Sequence, residues 1–207
     1  LLVKATSALR VVMANQSRLT STPTPRIRQI QAADLKRLKT FLSELSPGSL
    51  YFRFGNPHLP RWSDKQWADL CCPDPTHTTG FVATELLAQG RYAIVGIARL
   101  VVAANPQNAE FSLVVTDSKQ NQGLGKQLMD RLVGEAQKRS LSTIYGDVLP
   151  SNHAMIRFCQ GLGMFLGACP TDARLCRMTL PIESQPQNFE RTIIGQTPNR
   201  YAEGRSP

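Results

Sequence analysis

The stretch from Glu110 to Val148 limits the fold more than any other part of this 207-residue chain. It opens with Glu110–Val115, an apolar, β-branched run that predicts a strand. A polar loop holding Gly123 and Gly125 follows. After it, Leu128, Met129, Leu132, Val133 and Ala136 recur at helical spacing. Thr143–Val148 predicts a second strand. Two strands joined through a helix pair in parallel, and the crossover helix must cover one face of their sheet. An all-helical or purely antiparallel architecture is therefore excluded.

The flanking segments fill out the sheet. Arg26–Ile30 is a short strand candidate. Asp34 is expected to cap a helix whose Leu35, Leu38, Phe41, Leu42 and Leu45 share one face, with Pro47-Gly48 ending it. Ser63 followed by Gln66 is a capping-box pattern opening a short helix with Trp67 and Leu70. Thr79–Leu86 and Tyr92–Ala103 form a hairpin across Ala88-Gln89-Gly90. Asn105-Pro106-Gln107-Asn108 then turns the chain into the 110–115 strand. A helix from about Asn152 to Leu162 and a strand pair across Phe165–Leu180, broken near Pro170, complete the order β-α-α-β-β-β-α-β-α-β-β. The expected class is α/β with α+β character, a central mixed and mostly antiparallel sheet with helices on both faces. The expected domain is 26–181. Residues 1–25 contain no acid and read as a disordered extension or a targeting segment, and polar residues 182–207 as a flexible tail.

The net charge of +9 would suit a nucleic-acid partner. No basic run or interleaved aromatic stripe accompanies it, so an anionic small ligand is expected and nucleic acid is not. No apolar run approaches the ~20 residues of a membrane span, so no membrane partner is expected. Cys71, Cys72, Cys159, Cys169 and Cys176 are an odd number without disulfide or zinc spacing. A reducing compartment follows: the cytoplasm, or an organelle if residues 1–25 act as a transit peptide. His58, His77 and His153 share no ligand spacing with each other or with Cys, and no metal is expected.

The loop Gln120-Asn121-Gln122-Gly123-Leu124-Gly125 joins the central strand to its helix. Glycines let the chain turn tightly and let a ligand reach the amides without a Cβ in the way. The first turn of the helix has unpaired N–H groups and the positive end of the dipole, which suit phosphate. Two nucleotide motifs are ruled out, since Gly-x-x-x-x-Gly-Lys-Ser/Thr is missing and Leu128 breaks Gly-x-Gly-x-x-Gly. From these residues alone, a plain helix-entry turn and a phosphate cradle both stay open.

Residues 120–125 also match the Gln/Arg-x-x-Gly-x-Gly/Ala pyrophosphate loop of the GNAT (general N-acetyltransferase) superfamily, between a strand and an amphipathic helix as in that family. The segment from Asn152 through Gly163-Met164-Phe165 resembles the family's second CoA element, an Asn-capped helix ending in a Leu-Gly-Phe-like turn. Leu45-Ser-Pro-Gly-Ser-Leu-Tyr-Phe-Arg-Phe54 and Ala109-Glu110-Phe111 resemble stretches of bacterial protein lysine acetyltransferase domains. The resemblance spans about 26–180 and implies a GNAT-like fold.

It also implies direct transfer of an acetyl group from acetyl-CoA, the cosubstrate, to a primary amine, with a protein lysine as the expected acceptor. A small-molecule amine acceptor, or a CoA-binding sensor without turnover, are the alternatives. A lysine amine must lose a proton before it attacks, and the resemblance makes Glu110 the general base. Leu113, Val114 and Val115 are implied as the strand that meets the pantetheine arm. Gln120, Asn121, Gln122, Gly123, Leu124, Gly125 and Lys126 would surround the pyrophosphate, and Asn152 would touch the CoA arm. Many members carry a Tyr acid where Phe158 stands, which leaves thiolate protonation to water or Tyr145. Tyr51, Arg53 and Phe54 are candidates for the acceptor side, and a homodimer is an open possibility.

Overall fold

The computed structural model describes residues 24–182; residues 1–23 and 183–207, which make up nearly all of the expected extension and tail, lie outside the described residues. Seven strands are formed: β1 (Arg26–Gln29), β2 (Thr78–Leu86), β3 (Tyr92–Val102), β4 (Asn108–Val115), β5 (Thr143–Val148), β6 (Phe165–Ala168) and β7 (Cys176–Pro181). Five helices accompany them: α1 (Leu35–Ser43), α2 (Pro47–Phe54), α3 (Asp64–Cys71), α4 (Leu124–Lys138) and α5 (His153–Gly161). The strands build one sheet in the order β1-β2-β3-β4-β5-β7-β6. Only β4 and β5 pair in parallel, as their helical connection requires; the other neighbours are antiparallel.

Alternation along β4 divides the core into two layers. Ala109, Phe111, Leu113 and Val115 point to the layer that holds Leu128, Met129 and Leu132 of α4 and Cys159 of α5. Val114 points to the opposite layer, with Leu38, Phe41 and Leu42 of α1, Leu50 of α2 and Trp67 of α3. Helices thus cover both faces. The Phe111 ring lies against β5 at Gly146, where an added Cβ would stand 2.6 Å from Phe111 Cε1. Among the described residues no helix is long and apolar enough to cross a membrane.

Two expectations are corrected. Pro47-Gly48 does not merely end α1; Pro47 starts α2, an extra helix in the order. Ser46, extended at φ −62° and ψ 155°, caps α2 by accepting the Ser49 N–H, and Pro47 occupies the first turn, where its missing N–H costs nothing. Nor does the Asp34 side chain cap α1. Its backbone is already helical, at the end of a 3-10 turn over Ala32–Asp34. Its carboxylate instead accepts two bonds from Arg28, at 2.6 and 2.7 Å, and one from the Gln31 N–H at 3.0 Å.

Asp34 is 1% exposed, and the Arg28 hydrogen bonds hold its carboxyl below its ordinary value despite burial. A lowered folded pKa means stability that is present above the unfolded value, near pH 4, and lost as pH falls through the folded one. Asp34→Asn is expected to destabilise the protein by about 2–4 kcal/mol at neutral pH, less than a fully buried pair because Arg28 is partly exposed. Urea titrations of both proteins from pH 7 to pH 3 should show that gap closing on acidification; a constant gap would contradict the assignment.

Candidate active site

Strands β4 and β5 pair only across Asn108–Glu110 and Thr143–Tyr145. Beyond that, β4 continues against β3 to Val115 while β5 pairs with β7 alone. The sheet therefore splits between its two parallel strands. The Ala103 N–H bonds Asn108 O, and the Thr116 N–H bonds Val95 O, so even-numbered residues of β4 turn their peptide groups to β3. By alternation, the N–H and C=O groups of Leu113 and Val115 face the split, where no strand pairs with them.

A cavity of about 530 Å³ occupies this split. β4 supplies Leu113, Val114 and Val115; the following loop and α4 supply Gln120, Asn121, Gly123, Gly125 and Lys126; α5 and its cap supply Asn152, Met155 and Phe158. Nine of the eleven residues expected to hold CoA thus line one cavity. Gln122 and Leu124 do not: Gln122 ties the loop together by donating to Ser118 O at 2.8 Å, and the Leu124 side chain is buried in the core.

Local geometry explains the loop. Asn121 and Gly123 have φ of 58° and 79°, left-handed values that turn the chain sharply into α4. Gly123 is the N-cap and offers no side-chain acceptor, so the first N–H groups of α4 keep their donor capacity toward the cavity. Lys126 pairs with Asp130 at 3.0 Å on the exposed helix surface. Asn152 is buried and accepts the Met155 N–H at 3.1 Å, which fixes the start of α5.

Asp117 lines the cavity without any local sequence signal. Asp117 accepts bonds from Ser46 Oγ and Ser49 Oγ, each at 2.7 Å, and from the Ser46 N–H at 3.0 Å. Burial alone would raise its carboxyl, but these bonds outweigh burial and hold it below its ordinary value. Gln120 Nε2 donates to Val115 O at 3.1 Å and to Ser49 Oγ at 3.3 Å. At the far end of α2, Arg53 Nη2 donates to Ser112 Oγ at 3.0 Å. Helix α2 is therefore fastened along β4 at both ends, roofing the cavity. The Ser46 and Ser49 positions stood out in the sequence; their shared partner did not.

Glu110 sits where the split begins, in register with Val101 of β3 and Tyr145 of β5. Pairing across a sheet places these three side chains on one face, and Tyr145 in turn is paired with Thr179 of β7. Burial first, then Asp147, raise the Glu110 carboxyl above its ordinary value, while Arg53 and Arg177 pull against them. The Arg177 guanidinium lies 4.0 Å from the Tyr145 ring centroid and holds Asp147 at 2.7 Å. The site thus combines a carboxylate of raised proton affinity, a flanking phenol, and a long cavity ending in free helix amides. Among the described residues no cluster of His, Cys, Asp or Glu could hold a metal ion.

The acetyltransferase (GNAT) family model matches residues 42–164, and the chain belongs to that family. It is an N-acetyltransferase that draws on acetyl-CoA. Among its relatives, an acetyltransferase of Pseudomonas aeruginosa is 27% identical over 147 residues, 71% of this chain and 78% of that protein. The [ribosomal protein bS18]-alanine N-acetyltransferase of Escherichia coli is 28% identical over 106 residues, 51% of this chain and 66% of that enzyme. The fold is shared with the GNAT domain of S. lividans PAT, at a TM-score of 0.66 and 24% identity, covering 76% of this chain and 90% of that one.

Proposed function

We propose that this acetyltransferase transfers the acetyl group to the amine of a protein lysine, with Glu110 as general base. The observation that carries the reading is that Glu110 stands at the closed end of the split whose other end is the α4 N-terminus. Amides of the first turn of α4 donate to the pyrophosphate. The Leu113 peptide group and the Val115 N–H pair with the pantetheine arm as a missing strand would, which draws the thioester toward Glu110. Glu110 removes a proton from the acceptor ammonium, directly or through water, and the freed amine attacks. Tyr145 lies beside Glu110; burial, then the Glu110 charge, raise its pKa, so it stays protonated and can supply the proton the thiolate needs.

A protein acceptor is favoured by exposed apolar groups on the elements that form the site, of which Phe52 lines the cavity. Tyr51 and Phe52 of α2 are 40% and 44% exposed, and Val101, beside Glu110, is 40% exposed. An enclosed pocket for a small amine would cover such groups. The five free thiols suit a reducing, cytoplasmic setting. Incubating the protein with acetyl-CoA and a panel of lysine peptides, polyamines and amino acids, read by mass spectrometry, tests the reading. Peptide lysine acetylation above the small amines is expected. Polyamine preference would overturn the acceptor, and CoA binding without transfer to any amine would make the protein a sensor.

A further inference from the structure

Arg53 carries a positive charge beside the proposed base that is not taken up in an ion pair among the described residues. It lines the cavity from the last turn of α2. Its hydrogen bond among the described residues goes to a neutral hydroxyl, Ser112 Oγ. Ser112 is in register with Arg99 of β3, whose Nε is buried without a hydrogen-bond partner. Among the described residues neither guanidinium has a carboxylate within ion-pair distance, whereas Arg28, Arg37, Arg139, Arg174 and Arg177 each have one. Burial, then the neighbouring Arg99 charge, push Arg53 down to about 10 against the pull of Glu110, and burial lowers Arg99 as well. The two guanidiniums are half-buried, and Glu110 offsets the Arg53 charge only in part, so the pair can accept a further anion, because charge removed from water is tolerated when it is paired.

Glu110 and Ser112 are two residues apart on one face of β4, a spacing of about 7 Å. A negative group and a positive group thus stand side by side along the strand where an acceptor must lie. We infer that Arg53 determines acceptor specificity by binding the carboxylate of an acidic residue that flanks the target lysine, while the lysine amine meets Glu110. The inference rests on the protein-lysine reading above. A guanidinium offers five donors in a planar fork, so it can take a carboxylate through two parallel bonds and still hold Ser112. A flanking cation would instead meet Arg53 and Arg99 together and be repelled.

The test uses peptides with blocked termini and one lysine, flanked by Asp, Asn or Arg, so that the Asp peptide carries the only carboxylate near the lysine. With the wild-type protein, kcat/KM for the Asp peptide is expected to exceed that for the Asn peptide about tenfold or more, with the Arg peptide slowest. In Arg53→Gln the Asp-to-Asn ratio should fall towards one, in Arg53→Lys part of it should survive, and in Arg53→Glu the Arg peptide should become the best. Each ratio is internal to one protein, so a general loss of rate in a variant does not obscure it. A wild-type ratio near one, or an undiminished ratio in Arg53→Gln, overturns the inference. No transfer to any of the peptides by the wild-type protein overturns the lysine reading on which it rests, an outcome distinct from transfer without discrimination.

Discussion

Glu110→Gln is expected to lower kcat for acetyl transfer about 10²–10⁴-fold, the usual cost of losing a positioned general base. Affinity for CoA should persist, because Glu110 is not among the residues lining the cavity and its backbone pairing does not depend on the carboxylate. The pH profile adds a second readout. Only ionised Glu110 can accept a proton, so the rate should rise with pH through its pKa, which burial and Asp147 place above the ordinary value. That acidic limb should vanish in Glu110→Gln. Stability should move the other way. A carboxyl whose folded pKa is raised favours folding at low pH and loses that contribution as pH rises. At neutral pH the Gln variant should therefore be at least as stable as the wild type. Loss of activity without loss of stability marks a functional carboxylate; unchanged turnover removes Glu110 from the mechanism.

The parts of this molecule that were legible in the sequence are those set by neighbours in the chain. The alternation of β4, the amphipathic spacing of α4 and the glycines between them are local patterns, and they led to the parallel pair and the loop. Pro47-Gly48 taken alone is the pattern of a break, which hides the helix that Pro47 starts. Ser46 before it and Gly55, left-handed at φ 69°, after it are the signals of a short helix. Asp34 has the local pattern of a cap, and its true partner, Arg28, is reached only once β1 and the 3-10 turn are folded. The site depends still more on distant residues. Asp117 meets Ser46 across 71 positions and Arg53 meets Ser112 across 59, and no periodicity encodes either contact. The split itself results from β5 leaving β4 to pair with β7, a property of the sheet that neither strand displays alone.

Substituting Val at Gly123 should weaken CoA binding about 10- to 100-fold, corresponding to the loss of one charge-assisted hydrogen bond to phosphate. Gly123 occupies φ 79°, where no protein atom beyond its own chain neighbours lies within 4 Å of an added Cβ, so the substitution meets backbone strain and ligand but no packed protein group. Strain alone must be separated from the effect on the ligand. Gly90, with φ 71° and equally open surroundings, lies in the turn between β2 and β3, away from the cavity residues. Gly90→Val should lose stability in a similar way, since a β-branched residue is strained at that φ, yet bind CoA normally. Calorimetric titration of both variants with CoA, beside thermal melts, makes the comparison. If both lost affinity equally, strain would account for the effect and the α4 N-terminus would lose its assignment as the phosphate site. If only Gly123→Val lost affinity, the amides that this turn leaves uncovered are the groups that hold the pyrophosphate.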